Sequence, residues 1–273
     1  MLKRKTDRGV ALVTGASSGI GRASAEALAK AGFTVFGTSR KPVNGGPDGV
    51  TMLISDVTND ESVKRLIDDV LARAGRIDLL VNNAGLGLLG GAEESSLAQV
   101  QSLFDVNVFG VMRVTNAVLP AMRQRGKGHI INMSSILGVV PAPYSAHYSA
   151  TKHAVEGYSE SLDHEARAFN VRVSLIEPAY TRSSFDENAI EPDSKLPHYD
   201  KARNDVLAFT RKAMTTADLP DVVAAMVVKA ATDRHPKRRY TAGKTARQIG
   251  MLRRFAPAKM FDRILRKELH LPA

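Results

Sequence analysis

Residues 9–21 read GVALVTGASSGIG. An apolar, β-rich run ends at Thr14, and the turn Gly15, Ala16, Ser17, Ser18, Gly19, Ile20 and Gly21 follows. An alanine-rich helical pattern then runs from Arg22 to about Ala31 and stops at Gly32. Strand, glycine turn and helix, in that order, make up the unit that a dinucleotide-binding loop needs. The glycines let the backbone approach a pyrophosphate, whose charge sits at the positive end of the helix. The bland alternative is an ordinary strand-to-helix turn of small residues, and the strict order of elements weighs against it.

Working outward, strands rich in Val, Ile and Leu alternate with helical stretches along most of the 273 residues. That alternation predicts an α/β fold with a doubly wound parallel sheet of Rossmann type, as one large domain over residues 1–242. The next strand, FTVFGTS at 33–39, should carry the group that reads the adenosine ribose. Its end is Thr38, Ser39, Arg40 and Lys41, with no carboxylate. An acid there would hydrogen-bond a free 2′-hydroxyl and repel a 2′-phosphate. Arg40 instead offers a planar fork suited to phosphate, helped by Lys41 and by a hydroxyl of Ser17 or Ser18. The alternative is two solvated basic residues; the missing acid favours NADP(H).

Tyr148 and Lys152 stand four residues apart, with Ser135 thirteen residues before the tyrosine. That spacing puts phenol and ammonium on one helix face, a turn apart. A fixed cation stabilises the phenolate, turning a group of ordinary pKa about 10 into a proton donor and acceptor for a carbonyl or alcohol oxygen. A second pair, Tyr240 and Lys244, is interrupted by Gly243 and has Val227 at the thirteen-residue position, so it reads as accidental.

These segments resemble the single-domain branch of the short-chain dehydrogenase/reductase family. The TGxxxGxG turn begins at Thr14, and Asn82, Asn83, Ala84 and Gly85 match the NNAG segment after IDLLV. Asn107, Ser135, Tyr148 and Lys152 match the catalytic tetrad in order and spacing. The resemblance covers roughly residues 9–182 and is loose from 183 onward, where steroid- and retinoid-type reductases are the nearest in pattern. It implies an NADP(H)-dependent oxidoreductase moving a hydride between nicotinamide and a hydrophobic ketone, aldehyde or secondary alcohol.

The same resemblance assigns roles. Ser135 and Tyr148 would hold the substrate oxygen, Lys152 would lower the phenol pKa and bind the nicotinamide ribose, and Asn107 would hold a water of a proton relay. Cofactor contacts fall on Gly15, Ser17, Ser18, Gly19, Ile20, Gly21, Arg40, Asp56, Val57, Asn83, Ala84, Gly85, Tyr148, Lys152, Pro178 and Thr181. Asp56 would face the adenine; its alternative is a cap ahead of Thr58. Ala179 departs from the family, which usually has glycine there. Tyr144, in the apolar segment 136–147, is the expected substrate contact beyond the tetrad.

The remaining features bound the reading. Ser96 and Gln99 have capping-box spacing and open a helical stretch to about Arg125 that contains Pro120. Residues 183–217 are expected to form a substrate loop. No cysteine is present, which excludes disulfides and thiolate metal sites, and His147 lacks a second ligand at metal spacing, so no metal is expected. No apolar run approaches the roughly 20 residues of a membrane span, and no signal-peptide core follows the basic start, so the expected compartment is the cytoplasm.

Residues 243–273 read as a basic helical tail with patterns at 245–255 and 258–269. Residues 234–273 hold twelve Lys and Arg against Asp262 and Glu268, which accounts for the whole net charge of +10. A basic amphipathic face suits weak membrane-surface contact, while packing on the domain is the blander and preferred reading. No stacking aromatics interleave with the charges, so no nucleic acid is expected. The resemblance implies a homodimer or homotetramer paired through the long helices near 99–125 and 148–169. The competing functions are a non-catalytic NADPH sensor and a membrane-surface lipid oxidoreductase.

Overall fold

A computed structural model describes residues 7–183, 185 and 189–269. Seven strands form one parallel sheet: β1 (Val10–Val13), β2 (Thr34–Ser39), β3 (Val50–Ile54), β4 (Leu79–Asn82), β5 (Gly128–Met133), β6 (Val171–Pro178) and β7 (Arg239–Ala242). Their order is β3-β2-β1-β4-β5-β6-β7. Successive side chains on a strand leave opposite faces, and both faces here are covered. Val10 and Leu12 of β1 therefore join one core and Ala11 and Val13 the other.

The first core packs against α2 (Asp60–Ala74), α4 (Gly110–Arg125) and α5 (Ala146–Ala166), through Leu66, Val70, Val114, Val118 and Leu162. The second packs against α1 (Gly19–Lys30) and α7 (Pro220–Thr232), through Ala25, Leu28, Val223 and Val227. Strand order reverses at β1 and β4, which opens the crevice where such sheets bind ligands. The expected fold class is the one observed.

Local chemistry explains the boundaries. Asn59 caps α2 by accepting from the Ser62 N–H at 2.8 Å, with Asp60 and Glu61 in the positive first turn. Ser96 caps α3 (Leu97–Phe104) by accepting from the Gln99 N–H at 3.2 Å. Only that half of the capping box forms, because the Ser96 N–H donates to Asp193 Oδ1 at 2.7 Å and Gln99 Oε1 accepts from the Asp193 N–H at 3.3 Å. The stretch expected as one helix from 96 to 125 carries a π-turn at Asp105–Phe109 between α3 and α4.

Two further departures bear on the site, while the tail follows its two expected helical patterns. The region expected as a loop, 183–217, contains a 3₁₀ turn at Pro197–Tyr199 and the helix α6 (Asp200–Thr215). β7 lies where the sequence pattern gave no strand, and its Tyr240 is separated from Lys244 by Gly243 at φ 89°, so the second Tyr–Lys pair shares no helix. The tail forms α8 (Lys244–Phe255) and α9 (Ala258–Glu268). Ala246, Phe261 and Leu269 are buried, whereas Met251, Phe255, Met260 and Ile264 are exposed. No helix among the described residues is long and apolar enough to cross a membrane.

Candidate active site

The glycine turn leaves β1 with Gly15 at φ 65° and enters α1 with Gly19 at φ 52°, left-handed conformations that favour glycine. A Cβ on Gly21 would collide with the Gly15 carbonyl, so helix and turn pack backbone to backbone. Ser18 is the N-cap residue of α1 but makes no side-chain capping bond, and no acid lies in the helix's first turn. The positive helix end therefore faces the crevice without a carboxylate of its own.

The NNAG segment braces this turn from β4. Asn83 Nδ2 donates to the Thr14 and Gly15 carbonyls at 3.0 and 3.1 Å, and the Asn83 and Ala84 N–H groups donate to Thr14 Oγ1 at 3.0 and 3.1 Å. The Asn83 amide is thus committed to the loop itself. On the other side, Thr38 at the end of β2 accepts from the Gly15 N–H through Oγ1 at 3.3 Å and from the Ala16 N–H through its carbonyl at 2.8 Å. That tether holds the exposed Arg40 beside the turn, while Ser39 Oγ donates to the Lys41 carbonyl at 2.5 Å.

Asp56 accepts at Oδ1 from the Thr58 N–H and hydroxyl at 2.9 and 2.8 Å. That Thr58 N–H bond, with the charges of Arg40 and Arg113, holds its carboxyl below the usual range. The turn onto Thr58 precedes the cap, which is Asn59. Val57 is buried against Gly110, and its carbonyl accepts from Arg113 Nη1 at 2.6 Å. At the far end, Pro178 closes β6, and Thr181 is buried, donating from Oγ1 to the Ala179 carbonyl at 3.2 Å and bridging to Asp218.

Tyr148, Lys152 and Asn107 meet next to this cradle, with Ser135 at the end of the neighbouring strand. Lys152, buried on α5, has Nζ 5.6 Å from the Tyr148 ring centroid and donates to the Met133 carbonyl at 2.9 Å. Burial pushes its pKa down to about 8, opposed by the charge of Glu156. Ser135 follows β5, and its Oγ accepts from the Leu137 N–H at 3.1 Å, which leaves the hydroxyl proton to donate. A Cβ on Gly85 would stand 3.3 Å from Asn107 Oδ1 and 4.0 Å from Lys152 Nζ, so the NNAG segment reaches the tetrad.

Asn107 sits in the π-turn and is 1% exposed. Its Oδ1 accepts from the Leu86 N–H and its Nδ2 donates to the Leu86 carbonyl, both at 2.8 Å. Nδ2 also reaches Thr151 Oγ1 at 3.2 Å, and Thr151 donates to the Tyr148 carbonyl at 2.7 Å. The side chain expected to hold a water is a brace between the 85–87 segment and α5.

Aromatic groups wall the crevice. The Phe185 ring lies 5.9 Å from that of Tyr148, and Tyr144, at φ 59°, meets Tyr199 edge-on at 6.2 Å. Burial, with the charge of Glu94, pushes the Tyr144 phenol up. His147 Nε2 lies 2.9 Å from the Ala92 carbonyl. Phe185 and the fully buried Glu94 escaped the sequence reading. Glu94 sits among polar neighbours that resemble any solvated loop, and its partners lie about a hundred residues away.

A family model described as short chain dehydrogenase matches residues 9–194. The chain belongs to that family. Among short-chain dehydrogenase relatives, it is 44% identical over 179 residues to 3-ketodihydrosphingosine reductase of Bacteroides thetaiotaomicron, the match covering 66% of each chain. It is 35% identical over 254 residues to human retinol dehydrogenase 8, covering 84% of this chain and 80% of that one.

Among solved structures, a short-chain dehydrogenase from Streptomyces avermitilis superposes with a TM-score of 0.80 at 35% identity, covering 95% of this chain and 99% of that one. A metagenomic short-chain oxidoreductase in complex with NADP scores 0.68 at 29% identity over 87% and 97% of the two chains. A Burkholderia phymatum member in complex with NAD scores 0.78 at 27% identity over 98% and 97%. The family is thus an oxidoreductase family acting on CH–OH and carbonyl groups with a nicotinamide cofactor.

Proposed function

We propose that the protein is a cytoplasmic NADP(H)-dependent reductase of hydrophobic ketones or aldehydes. The observation that carries this reading is the buried Lys152 ammonium beside the Tyr148 ring, at the mouth of a glycine cradle. The cradle fits a dinucleotide: left-handed Gly15 and Gly19, a helix N-terminus free of acid, and a Gly85 with no room to spare beside Asn107. Gly15 to Gly21 would hold the pyrophosphate and Lys152 the nicotinamide ribose, with Asp56, Val57, Pro178 and Thr181 flanking. Arg40 and Lys41, in place of a carboxylate, favour the 2′-phosphate of NADP(H).

When bound, the nicotinamide supplies the hydride. The Ser135 hydroxyl donates to the carbonyl oxygen and orients it. Tyr148 donates the proton to that oxygen, and the Lys152 ammonium stabilises the phenolate left behind. Phe185, beside the Tyr148 ring, and Tyr144 give the crevice aromatic walls. A ketodihydrosphingosine reductase and a retinol dehydrogenase among the relatives support a lipid-like substrate.

NADPH oxidation measured against a panel of ketones and aldehydes tests the reading. Tyr148→Phe should bind NADPH normally and lose turnover. Turnover that survives the substitution removes the mechanism; NADPH binding without turnover on any carbonyl in the parent chain favours a sensor. Pairing as a homodimer or homotetramer through α4 and α5 is part of the proposal. The exposed Phe109 and Phe169 support it, and sedimentation checks it.

A second reading places the enzyme at a membrane surface. Met251, Phe255, Met260 and Ile264 are exposed on helices that also carry Arg247, Arg253, Arg254, Lys259, Arg263, Arg266 and Lys267. α8 packs on the turn that follows Ser135, where Gly250 approaches Ile136. Anionic liposomes should pull down the full chain but not a Phe255→Ser/Ile264→Ser variant; equal recovery of both removes this reading.

A further inference from the structure

One turn beyond Lys152 on α5 stands Glu156, and on β6, just before Pro178, stands Glu177. They are 5% and 4% exposed, and both approach one cation, Arg239 of β7. Arg239 Nε donates to Glu156 Oε2 at 2.9 Å, and Glu177 Oε1 lies 3.1 Å from the same nitrogen. Arg239 Nη1 is taken by Glu160 Oε1 at 2.6 Å. Glu156 Oε1 and Glu177 Oε1 accept no hydrogen bond. Three carboxyls thus crowd one guanidinium, and two of them are buried. One guanidinium shared with Glu160 compensates two buried carboxylates only in part, and like charges at this range disfavour ionising both.

From this geometry we infer that Glu156 and Glu177 share one proton near neutral pH and thereby set the charge on Lys152. They act as positioning residues behind the Tyr148 proton transfer. The inference rests on the reductase reading for its catalytic consequence, but not for its titration.

The groups facing the pair are Lys152, Glu156 and Glu160 from α5, Glu177 from β6, Arg239 from β7 and Ser134 at the end of β5. Burial pushes Glu177 up to about 7, with the charge of Glu156 adding to it. Burial also raises Glu156, while the Glu156 charge opposes the burial that brings Lys152 down to about 8. The turn carrying Ser135 rests on the same pair: a Cβ on Gly138 would lie 3.0 Å from Glu156 Cγ and 3.2 Å from the Lys152 carbonyl oxygen. The serine and the lysine of the site therefore share one support.

The sign follows from the coupling. Glu156→Gln removes the negative charge that favours the ammonium, so Lys152 loses its proton at lower pH. Glu177 carries the shared proton, being the glutamate that burial and the Glu156 charge push up to about 7, so Glu177→Gln fixes that neutral form, keeps Glu156 ionised and should leave the Lys152 titration in place. Glu156→Gln should move the alkaline limb of kcat/KM down by about 0.5 pH unit, roughly a threefold change in rate on that limb, and Glu177→Gln should leave it unmoved. A merely structural pair would lower activity in both variants without moving the limb in Glu156→Gln alone.

Lysine ¹³Cε NMR titration of the full chain, with Lys152 assigned through Lys152→Met, reads the same shifts without turnover. A Lys152 titration lowered in Glu156→Gln alone supports the pair even when no carbonyl is reduced, an outcome that sinks only the reductase reading. Turnover with an unmoved Lys152 in both variants overturns the pair. In the unsubstituted chain, carboxyl ¹³C NMR should show a glutamate titrating near pH 7. Every glutamate titrating in its ordinary range, around 4.3, overturns the pair whether or not a variant folds.

Discussion

Glu94 and Arg203, on opposite sides of the crevice rim, form an ion pair in which the glutamate has no exposed surface and the arginine is 6% exposed. Glu94 also accepts from the N–H groups of Gly91 at 2.7 Å and Leu196 at 2.9 Å, and its carbonyl accepts from the Ser194 N–H at 2.9 Å. One carboxylate thus joins the 87–94 segment to the strap 189–199 and to α6. The strap continues the contact through Ile190, whose N–H donates to the Gly87 carbonyl at 2.8 Å, and through Pro192 over Gly90.

Breaking a buried pair strands a charge, which costs about 3–5 kcal/mol. Arg203→Met should lose stability of that order in denaturant unfolding. It should also raise KM more than it lowers kcat, because the strap and not the tetrad is loosened. A KM unchanged at reduced stability would show the pair to be remote from substrate. Burial pushes Glu94 up, but the N–H groups of Leu196 and Gly91 and the Arg203 guanidinium outweigh it and hold the carboxyl below its usual range. Its contribution is present above the ordinary glutamate pKa and is lost as pH falls through the lower, folded-state value. Arg203→Met should accordingly flatten the acid side of the stability profile.

Lys152 gives a pH dependence of opposite character. Its folded pKa of about 8 lies below the ordinary 10.5. The unfolded chain holds the proton across that interval, so this group's contribution to stability rises with pH between about 8 and 10.5. The difference is of the order of 3 kcal/mol for a group this buried. Carbonyl reduction should fall across the same interval, as the ammonium that supports the Tyr148 phenolate disappears. Lys152→Met should abolish the stability rise together with the activity; a rise that persists in the variant assigns it to another group.

How legible the site was depended on the range of the interactions that build it. The glycine turn, the Asn82–Gly85 segment and Tyr148 with Lys152 are contiguous or one helical turn apart, so local pattern exposed the turn and the Tyr–Lys pair, and the family resemblance added the Asn82–Gly85 segment and singled out Tyr148 over Tyr240. The π-turn that sets Asn107 leaves no local mark, because Phe104, Val108 and Val111 fit an uninterrupted α-helix equally well. β7 pairs through only four residues, Arg239–Ala242, two of them polar or charged and one a tyrosine, and its strand state comes from the neighbouring β6. Glu94, Glu156 and Glu177 look like solvated carboxylates until the fold delivers Arg203 and Arg239 to them.

The proposed preference for NADP(H) rests chiefly on Arg40. Arg40 is exposed at the end of β2 and carries no ion-pair partner among the described residues, while its charge is felt at Asp56. Replacing Arg40 with aspartate should move the ratio of kcat/KM for NADPH over NADH by at least about tenfold toward NADH, since one ionic hydrogen bond of about 1.5–3 kcal/mol is exchanged for a repulsion. Equal affinity of the parent chain for the two cofactors, measured by fluorescence titration, would contradict the NADP(H) assignment.

The Asn107 brace makes the last prediction. Asn107→Leu has nearly the same shape but leaves the half-buried Leu86 N–H and carbonyl without their Asn107 partners, at about 1–3 kcal/mol each. Stability should fall by about 2–4 kcal/mol, within the range that two such losses allow. The damage should also reach catalysis, because the same amide reaches Thr151, which donates to the Tyr148 carbonyl on the turn before Lys152. Asn107→Asp keeps the acceptor for Leu86 N–H and loses the donor, so it should fall between the two in stability near neutral pH. Losses of activity that track the loss of the Leu86 carbonyl bond, and not the loss of the N–H bond, would locate the coupling in the donor side of the amide, which faces Thr151 and α5.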